Sequence, residues 1–356
     1  MKKRFSRRSD GYYSTTAWDG SYSANGQKHR VTLYAKTARE LDAKVRELAR
    51  AVERGDVIRS DGDDLLSIAA RWYREEKKGR AASTKQFYRG LIERHFQPLA
   101  GVKPVALRLS LVRQILDAAE GHERTQEQIL LVLRQVLQYA AREKCMPKSD
   151  AAELLDALPT IHHAAAEKRA LTAGEKAAVF AADLPEMERA FLYLLYGCGL
   201  RREEALGLRA GDFDYNGHVT VSRARVLLEG GVPDTKVPKS KRGARTLPIP
   251  ASVRGVVEAY AKGCSGDLFP GIDKKGYDRM WRTIRRAIEA ACPDSEGLTA
   301  HIFRHSYCTE LCYQIPKLSV KTVARLLGDT EQMVLSVYSH LDLLREPTDE
   351  TIDDVF

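Results

Sequence analysis

Apolar side chains recur at helical spacing over much of the chain, in blocks that turn-forming residues separate. The clearest block spans residues 125–144, where apolar positions repeat every three or four residues until Pro147 ends the pattern. Its apolar members are Ile129, Leu130, Leu133, Val136, Leu137 and Ala140. Two earlier blocks, 65–77 and 83–96, have a similar period. Residues 61–160 are therefore predicted to form a bundle of helices.

Residues 1–57 have a different pattern. Short runs rich in Tyr, Trp, Val and Thr alternate with an Asp-Gly pair at 19–20 and an Asn-Gly pair at 25–26. Such pairs between β-prone runs are typical of a small antiparallel sheet. From residue 37 to residue 55 one apolar stripe recurs at helical spacing. A compact domain made of a small sheet and one helix is expected here.

After a segment rich in Lys, Ala and His at 160–169, which we interpret as a linker, helical and strand-like patterns are mixed. The strand patterns cover 218–226 and 244–250, with a basic turn between them. Helices are predicted at 186–196, 202–208, 277–291 and 301–312. The expected fold class is multidomain and mainly α with small β-sheets, and the third domain, 168–356, is expected to be α+β.

Composition narrows the class of protein. A chain of 356 residues with 44% apolar content suits two or three domains with real cores. No apolar run approaches a membrane span, and the first residues lack the apolar segment of a signal peptide, so we expect a soluble bacterial protein of the cytoplasm. The six cysteines form no C-x-x-C pair, which argues against a zinc site or a disulfide framework. No metal and no cofactor are expected.

The net charge of +9 is unevenly distributed. Residues 1–60 hold 14 Lys and Arg against 7 Asp and Glu, whereas the last sixteen residues hold one Arg against six acids. A basic protein with a basic N-terminal module indicates a polyanionic partner such as nucleic acid. A soluble enzyme whose overall composition happens to be basic would explain the net charge equally well.

Cations interrupt an otherwise apolar helical pattern in HIFRHSYCTEL, residues 301–311. Burying an arginine without an anion costs several kcal/mol, so the pattern predicts that Arg304 meets an anionic partner. His301 lies three residues earlier on the same helical face. His305 is interpreted as a satisfied core histidine.

A second arginine follows glycines at the predicted start of a helix, in YGCGLRREEALGL. Helix N-terminal N–H groups, the helix dipole and the Arg201 guanidinium would together suit an anion, and Glu204 one turn later would orient the arginine. An ordinary surface helix start is the alternative.

Two further segments contain polar groups of catalytic types. PKSKRGARTLPI is a basic turn between strands, where a lysine can deliver a proton or can simply be solvated. LLGDTEQMVLSVYSH brings Tyr338 and His340 onto an apolar helix, where a lone tyrosine would ordinarily serve packing.

Taken in this order, the four segments resemble the tyrosine recombinase (phage integrase) family, and the layout is closest to integrases of phages and conjugative transposons. The resemblance is specific from about Arg169 onward and softer before it. The family pattern G-L-R-x-x-E corresponds to Gly199, Leu200, Arg201 and Glu204. The pattern H-x-L-R-H-[ST] corresponds to His301, Phe303 in place of Leu, Arg304, His305 and Ser306. The pattern L-G-H followed by Tyr corresponds to Leu327, Gly328 and Tyr338.

The resemblance implies a role for each residue. Arg201 and Arg304 would grip a DNA phosphate, and Tyr338 would attack it to give a 3′-phosphotyrosine. His301 would be the base. Counting back from the strand that Arg245 begins, the proton-donating lysine would be Lys241, with Lys239 or Lys236 as alternatives. The implied substrate-binding residues are Lys239 and Arg242, and the supporting residues are Glu204, Asp329, His305 and His340.

One position departs from the family pattern. Asp329 stands where the family usually has His or Trp, which donate a hydrogen bond to the phosphate. An ionised carboxylate cannot donate. Asp329 is expected either to accept hydrogen bonds from a neighbouring cation and hold it in place, or to cap the helix that bears Tyr338.

The resemblance further implies an integrase of a mobile element that acts on double-stranded DNA as a homo-tetramer on two sites, with an excisionase or DNA-bending protein as an accessory partner and no membrane. Residues 1–57 would bind arm sites, 61–160 core sites, and 168–356 would be catalytic. The acidic tail would dock on a neighbouring subunit or be disordered. The alternatives are a DNA-relaxing enzyme of the type IB topoisomerase kind and a DNA-binding protein with a decayed site.

Overall fold

A computed structural model describes residue 5 and residues 7–22, 27–54, 63–163, 169–228, 230, 233–236, 244–315 and 317–342, with side chains except at 21, 22, 236 and 340–342. The chain divides into two compact units, Met1–Ala165 and Ala166–Phe356. Within the described ranges, no helix is both long and apolar enough to cross a membrane. The prediction of a mainly α fold with small antiparallel sheets is confirmed.

The first unit begins with a two-stranded antiparallel sheet and one helix. Strand β1 (Tyr13–Tyr22) pairs with β2 (Lys28–Ala35), and helix α1 (Ala38–Arg54) packs on them and buries Leu41. The Asp-Gly pair at 19–20 lies inside β1, where the register shifts, and not at a turn. An irregularity of this kind accommodates the pair within the strand.

In the described residues that follow in this unit, the structure has five α-helices. They are α2 (Leu65–Glu76), α3 (Ala82–His95), α4 (Leu109–Asp117), α5 (Glu123–Arg142) and α6 (Lys148–Ala157). Their apolar side chains form one core, with α5 contributing nine buried residues, which is why the stripe at 125–144 was the clearest pattern. Helices α2–α6 therefore share one packed apolar core.

The described part of the second unit mixes helices with two two-stranded antiparallel sheets. Its strands are β3 (His218–Val221), β4 (Ala224–Val226), β5 (Asp234–Lys236) and β6 (Arg245–Pro248). Its helices are α7 (Ala173–Ala181), α8 (Glu186–Cys198), α9 (Arg202–Leu206), α10 (Ala251–Lys262), α11 (Lys274–Ala291), α12 (Ala300–Cys312), α13 (Val320–Leu327) and α14 (Glu331–Asp342).

The single strand expected over 218–226 is two strands. β3 pairs with β6, whereas β4 pairs with β5 in a separate sheet. The break turns Arg225 into the protein, where it is buried and its guanidinium donates to the backbone oxygen of Phe269 (2.5 Å) and to Asp267. The hydrogen bonds and the ion pair that the buried Arg225 guanidinium makes stabilise the fold more than a continuous strand at this place would.

A polar cluster anchors the start of the second unit. Thr172 and Glu175 form a capping box at the start of α7. Glu175 is buried and accepts two hydrogen bonds from Arg169 (2.6 and 2.7 Å) and one from Ser295 (2.8 Å). Burial opposes ionisation, but the Arg169, Thr172 and Ser295 hydrogen bonds outweigh it and hold the pKa of Glu175 at about 2.

This depressed pKa predicts a pH-dependent contribution to stability. Because the folded pKa lies below the ordinary value of 4.5, the contribution is present above pH 4.5 and is lost as the pH falls towards 2. Glu175→Gln should lower the free energy of unfolding by about 1–3 kcal/mol at neutral pH. The difference from the wild type should shrink through that window in denaturant melts. Glu310→Gln, which removes an exposed carboxylate paired with Lys176, is the control and should show no such window.

Candidate active site

Arg201 is delivered by a glycine turn between two helices. Helix α8 ends at Gly199, which has a φ of +57°, and a Cβ there would lie 2.3 Å from the Tyr307 ring. The chain then enters α9, and the Arg201 backbone N–H donates to Glu204 Oε2 (3.0 Å). Arg201 Nη1 donates to Glu204 Oε1 (3.0 Å), so Glu204 orients the guanidinium as the sequence suggested.

Arg304 lies on α12 and is buried, with 8% of its surface exposed. Its Nη1 donates to the backbone oxygen of Gly199 (2.9 Å) and its Nη2 to that of Leu327 (2.6 Å). These oxygens stand at the C-terminal ends of α8 and α13, where the helix dipole is negative. Two helix ends therefore supply part of the compensation that the buried arginine requires.

Asp329 supplies the rest. Its Oδ2 accepts hydrogen bonds from Arg201 Nη2 (2.7 Å) and from Arg304 Nη2 (3.2 Å). Two guanidinium groups that are far apart in the sequence thus converge on one oxygen atom. Thr330 provides the cap at the start of α14, because its Oγ1 accepts from the Met333 backbone N–H (3.3 Å). Asp329 has the contacts of the cation-holding interpretation, and its role in a reaction stays a prediction.

Arg245 also belongs to this cluster of charged side chains. From the sequence it had served only as the position from which the candidate lysine was counted. It is buried, and its Nη1 and Nη2 donate to Glu204 Oε1 (3.2 Å) and Oε2 (2.8 Å). Its Nε donates to the Leu326 backbone oxygen (2.8 Å). A Cβ at Gly328, which has a φ of +63°, would lie 2.7 Å from this guanidinium. Side chains two residues apart on a strand share a face, and Arg245 stands two residues before the buried Leu247 on β6. This spacing could have identified Arg245 as inward-facing.

Five side chains thus alternate in charge along one path. The order is Arg245, Glu204, Arg201, Asp329, Arg304. Burial, helped by the Arg201 charge, lowers the pKa of Arg304 to about 10, so Arg304 stays protonated at neutral pH. Burial also works against ionisation of Glu204, but the hydrogen bonds and charge of Arg245 hold its pKa below the ordinary value.

Arg201, Arg304 and Asp329 face a cavity of about 480 Å³. Its wall also contains His301, which is exposed, and His305, which is half-buried. The interpretation of His305 as a core histidine is therefore wrong, because α12 turns His301, Arg304 and His305 towards the same space. Arg169 and Cys308 line the cavity as well, and the sequence interpretation gave neither of them a place at the site.

Tyr338 lies on α14, the helix that contributes Met333, Val334 and Val337 to the cavity wall. Its side chain is half-buried and packs against an apolar cluster from α12, α13 and α14. Among the described side chains that line the cavity, Tyr338 is not included. The structure therefore brings Arg201, Arg304, Asp329 and the two histidines together at one cavity, and Tyr338 lies on a helix that contributes other residues to the cavity wall.

Several predicted residues fall outside the described part of the structure. Lys239, Lys241 and Arg242 belong to an undescribed segment, as does the acidic tail from residue 343. Lys236 ends β5, but its side chain is not described, and the same holds for the side chain of His340 on α14.

The geometry suits recognition of a tetrahedral anion. Two guanidinium groups fixed by helix ends and carboxylates can each offer N–H donors to the same oxyanion. The imidazole of His301 lines the same cavity, and imidazole is a side chain that can serve as a general base. Charge stabilisation by preorganised cations is the largest contribution that such a site can make to a reaction at phosphorus.

Comparison with known proteins assigns a family to this geometry. The sequence model of the phage integrase family matches residues 164–344. A tyrosine recombinase XerC-like protein of Caldanaerobacter subterraneus is 22% identical over 100% of this chain and 99% of its own length. Tyrosine recombinase XerC of Rhizobium meliloti is 32% identical over 44% of this chain, and the match spans 46% of that protein.

Solved structures share the fold. The Tn1549 transposon integrase in complex with transposon right-end DNA is 19% identical, with a TM-score of 0.62 over 82% of this chain and 98% of that one. The lambda integrase tetramer bound to a Holliday junction is 17% identical, with a TM-score of 0.56 over 93% of this chain and 96% of that one. At these identities the likeness establishes the fold.

Proposed function

Because the chain belongs to the phage integrase family and is a tyrosine site-specific recombinase, we propose that it is the integrase of a mobile element. Its substrate is double-stranded DNA, which it cleaves and rejoins through a 3′-phosphotyrosine for integration and excision. The observation that carries the proposal is the convergence of Arg201 and Arg304 on one Asp329 oxygen, at 2.7 and 3.2 Å.

In the first step the Tyr338 oxygen attacks the scissile phosphorus, and the bond from phosphorus to the 5′ oxygen breaks. The products are a 3′-phosphotyrosine and a free 5′-hydroxyl. Arg201 and Arg304 neutralise the charge that develops on the non-bridging oxygens, and a divalent metal is not needed for that purpose. A 5′-hydroxyl from a partner strand then attacks the phosphotyrosine, which restores the DNA backbone and releases Tyr338.

A phenol has a pKa of about 10, so the attack needs a base and the departing oxygen needs a proton. His301 on the cavity wall takes the phenolic proton. Lys241, in the basic segment that precedes β6 in the sequence, gives a proton to the 5′ oxygen. In the reverse step the two groups exchange roles.

We propose that Tyr338 enters the cavity by a movement of α14 before cleavage. Val337 already lines the cavity, and successive residues of an α-helix are separated by about 100° around its axis. A rotation of α14 of that order brings Tyr338 to the place of Val337. We propose that docking on DNA selects this orientation, with the Gly328–Thr330 connection as the hinge.

The remaining parts of the chain have family roles as well. The β1–β2–α1 module at residues 1–57 binds arm sites, and the bundle at residues 61–160 binds core sites, with residues 168–356 as the catalytic domain. Four copies act on two DNA sites, as the lambda integrase tetramer bound to a Holliday junction supports. An excisionase or DNA-bending protein assists, and the enzyme works in the bacterial cytoplasm.

A second candidate function is recombination of the XerC type. The XerC-like relative that aligns over 99% of its own length favours it. The likeness to a transposon integrase and to lambda integrase favours the mobile element. The DNA beside the gene discriminates between the two, because an integrase gene is expected to adjoin an attachment-site repeat.

Strand exchange between two labelled duplexes that carry the flanking repeat tests the reaction. The recombinase should yield joined products of both labels, and raising the salt concentration should weaken binding steeply, because most contacts are to phosphates. Relaxation of supercoiled DNA without exchange would instead identify a topoisomerase of the type IB kind. Binding without any covalent adduct would identify a decayed enzyme.

A further inference from the structure

Asp329 lies on the short connection between α13 and α14, on the wall of the cavity. Its Oδ2 accepts one hydrogen bond from each of two guanidinium groups, those of Arg201 and Arg304. An oxygen of a bound phosphate would accept the same pair of bonds over similar distances. The carboxylate therefore has the position and the charge of one edge of a phosphate.

We propose that Asp329 is an internal surrogate for phosphate, which the scissile phosphate must displace. The inference rests on the proposed function for the identity of the ligand, a DNA phosphodiester. Under this proposal Asp329 weakens the binding of phosphate. A residue whose contacts hold the arginines ready for substrate would instead strengthen it.

The arginines have other anchors, which is the first reason for this sign. Arg304 is held by the backbone oxygens of Gly199 (2.9 Å) and Leu327 (2.6 Å). Arg201 is held by Glu204, at 3.0 Å from its Nη1. Loss of the Asp329 carboxylate leaves these bonds in place, so both guanidinium groups remain aimed at the cavity.

The charge of the cluster is the second reason. Three guanidinium groups and two carboxylates, Glu204 and Asp329, make up the path described above, with a net charge of +1. A phosphodiester carries one negative charge, and the transition state of its cleavage develops more. Only when Asp329 leaves does the cluster reach +2 and match that charge.

The attachment of Asp329 is the third reason, because it permits displacement. Its side chain is a quarter exposed, and Thr330 caps α14 in its place. Among the residues that the structure describes, the other carboxylate oxygen, Oδ1, accepts a hydrogen bond from the neighbouring backbone N–H of Thr330 (3.0 Å). Rotation of the carboxylate towards solvent therefore leaves the helix cap intact.

Inorganic phosphate tests the proposal without DNA. We expect Asp329→Asn to tighten the dissociation constant of the full-length chain for phosphate about tenfold in calorimetric titrations at low salt, equivalent to about 1.4 kcal/mol. Asparagine keeps the shape of the side chain and removes its charge. Asp329→Ala should tighten binding at least as much, because it also removes the competing oxygen.

Asp267→Asn is the matched control. Asp267 also bridges two arginines, Arg209 and Arg225, is exposed to a similar degree, and is not among the residues that line the cavity. The same change of net charge there should leave the phosphate affinity within about twofold of the wild type. Adding Arg201→Gln to Asp329→Asn should abolish the gain, which would locate the bound phosphate at the arginine pair.

An unchanged or weaker phosphate affinity in Asp329→Asn would overturn the proposal. That result is expected if Asp329 does not compete with phosphate and instead supports the two arginines. A gain of the same size in Asp267→Asn would overturn it too, since the effect would then be one of overall charge. These outcomes are separate from the proposed function. Tighter phosphate binding in a chain that forms no adduct with DNA would support the surrogate and reject the recombinase.

Discussion

We expect Tyr338→Phe to abolish formation of the covalent protein–DNA adduct and to leave DNA affinity unchanged. The substitution removes only the phenolic oxygen, which attacks phosphorus in the proposed reaction, so the rate of adduct formation should fall by at least about 10⁴-fold. The ring still packs against the apolar cluster of α12, α13 and α14, and the melting temperature should therefore stay within about 2 °C of the wild type. Denaturing gels of a nicked duplex that prevents religation measure the adduct directly.

Tyr313→Phe is the control for this experiment. Tyr313 follows α12 in the same unit, and 45% of its surface is exposed. It should form the adduct at the wild-type rate. If Tyr338→Phe still formed the adduct, another side chain would be the nucleophile, and the assignment of α14 as the helix that moves would fail with it.

Arg201→Lys is expected to slow adduct formation by about 10²–10³-fold, a loss of roughly 3–4 kcal/mol in transition-state stabilisation. Lysine retains the positive charge. It lacks the planar fork that lets Arg201 bond Glu204 and the Asp329 position at the same time. The defect should therefore appear mainly in the single-turnover rate and much less in the dissociation constant for DNA.

Arg209→Lys provides the comparison. Arg209 pairs with Asp267 at 2.9 Å, is more than half exposed, and does not belong to the cavity lining. It should cleave at close to the wild-type rate. An Arg201→Lys variant as active as Arg209→Lys would mean that a point charge suffices, and the two-guanidinium account of catalysis would be wrong.

Much of the fold was predictable because local patterns and tertiary structure agree. The stripe of residues 125–144 is helical in isolation and buried in the bundle as well. The strand over 218–226 was mispredicted because burial of Arg225 beside Asp267 interrupts it, and a contact so distant in sequence leaves no local signal.

The site shows the same division. Arg201 and Arg304 were identified because each stands in a recognisable local motif. Arg245 was overlooked because its value depends on Glu204, a partner from another element, although its position on the buried face of β6 offered a clue. The packing of Tyr338 outside the cavity could not be predicted, because the rotation of α14 is fixed by contacts with α12 and α13.

Asp329 illustrates what a departure from a motif can indicate. The sequence left two interpretations open, and the hydrogen bonds to both arginines favour the one that involves cations. Whether those bonds assist phosphate binding or compete with it depends on the charge balance of the whole cluster. That charge balance can be determined only when the positions of all five side chains are known.

The most direct test of covalent catalysis by Tyr338 is to identify the amino acid that becomes joined to DNA. The wild-type chain is reacted with a nicked duplex carrying the flanking repeat, the adduct is digested, and the modified peptide is sequenced by mass spectrometry. We expect a 3′-phosphate ester on Tyr338 and a much smaller yield of the same peptide from Arg201→Lys. An ester on any other residue, or a 5′ linkage, would contradict it.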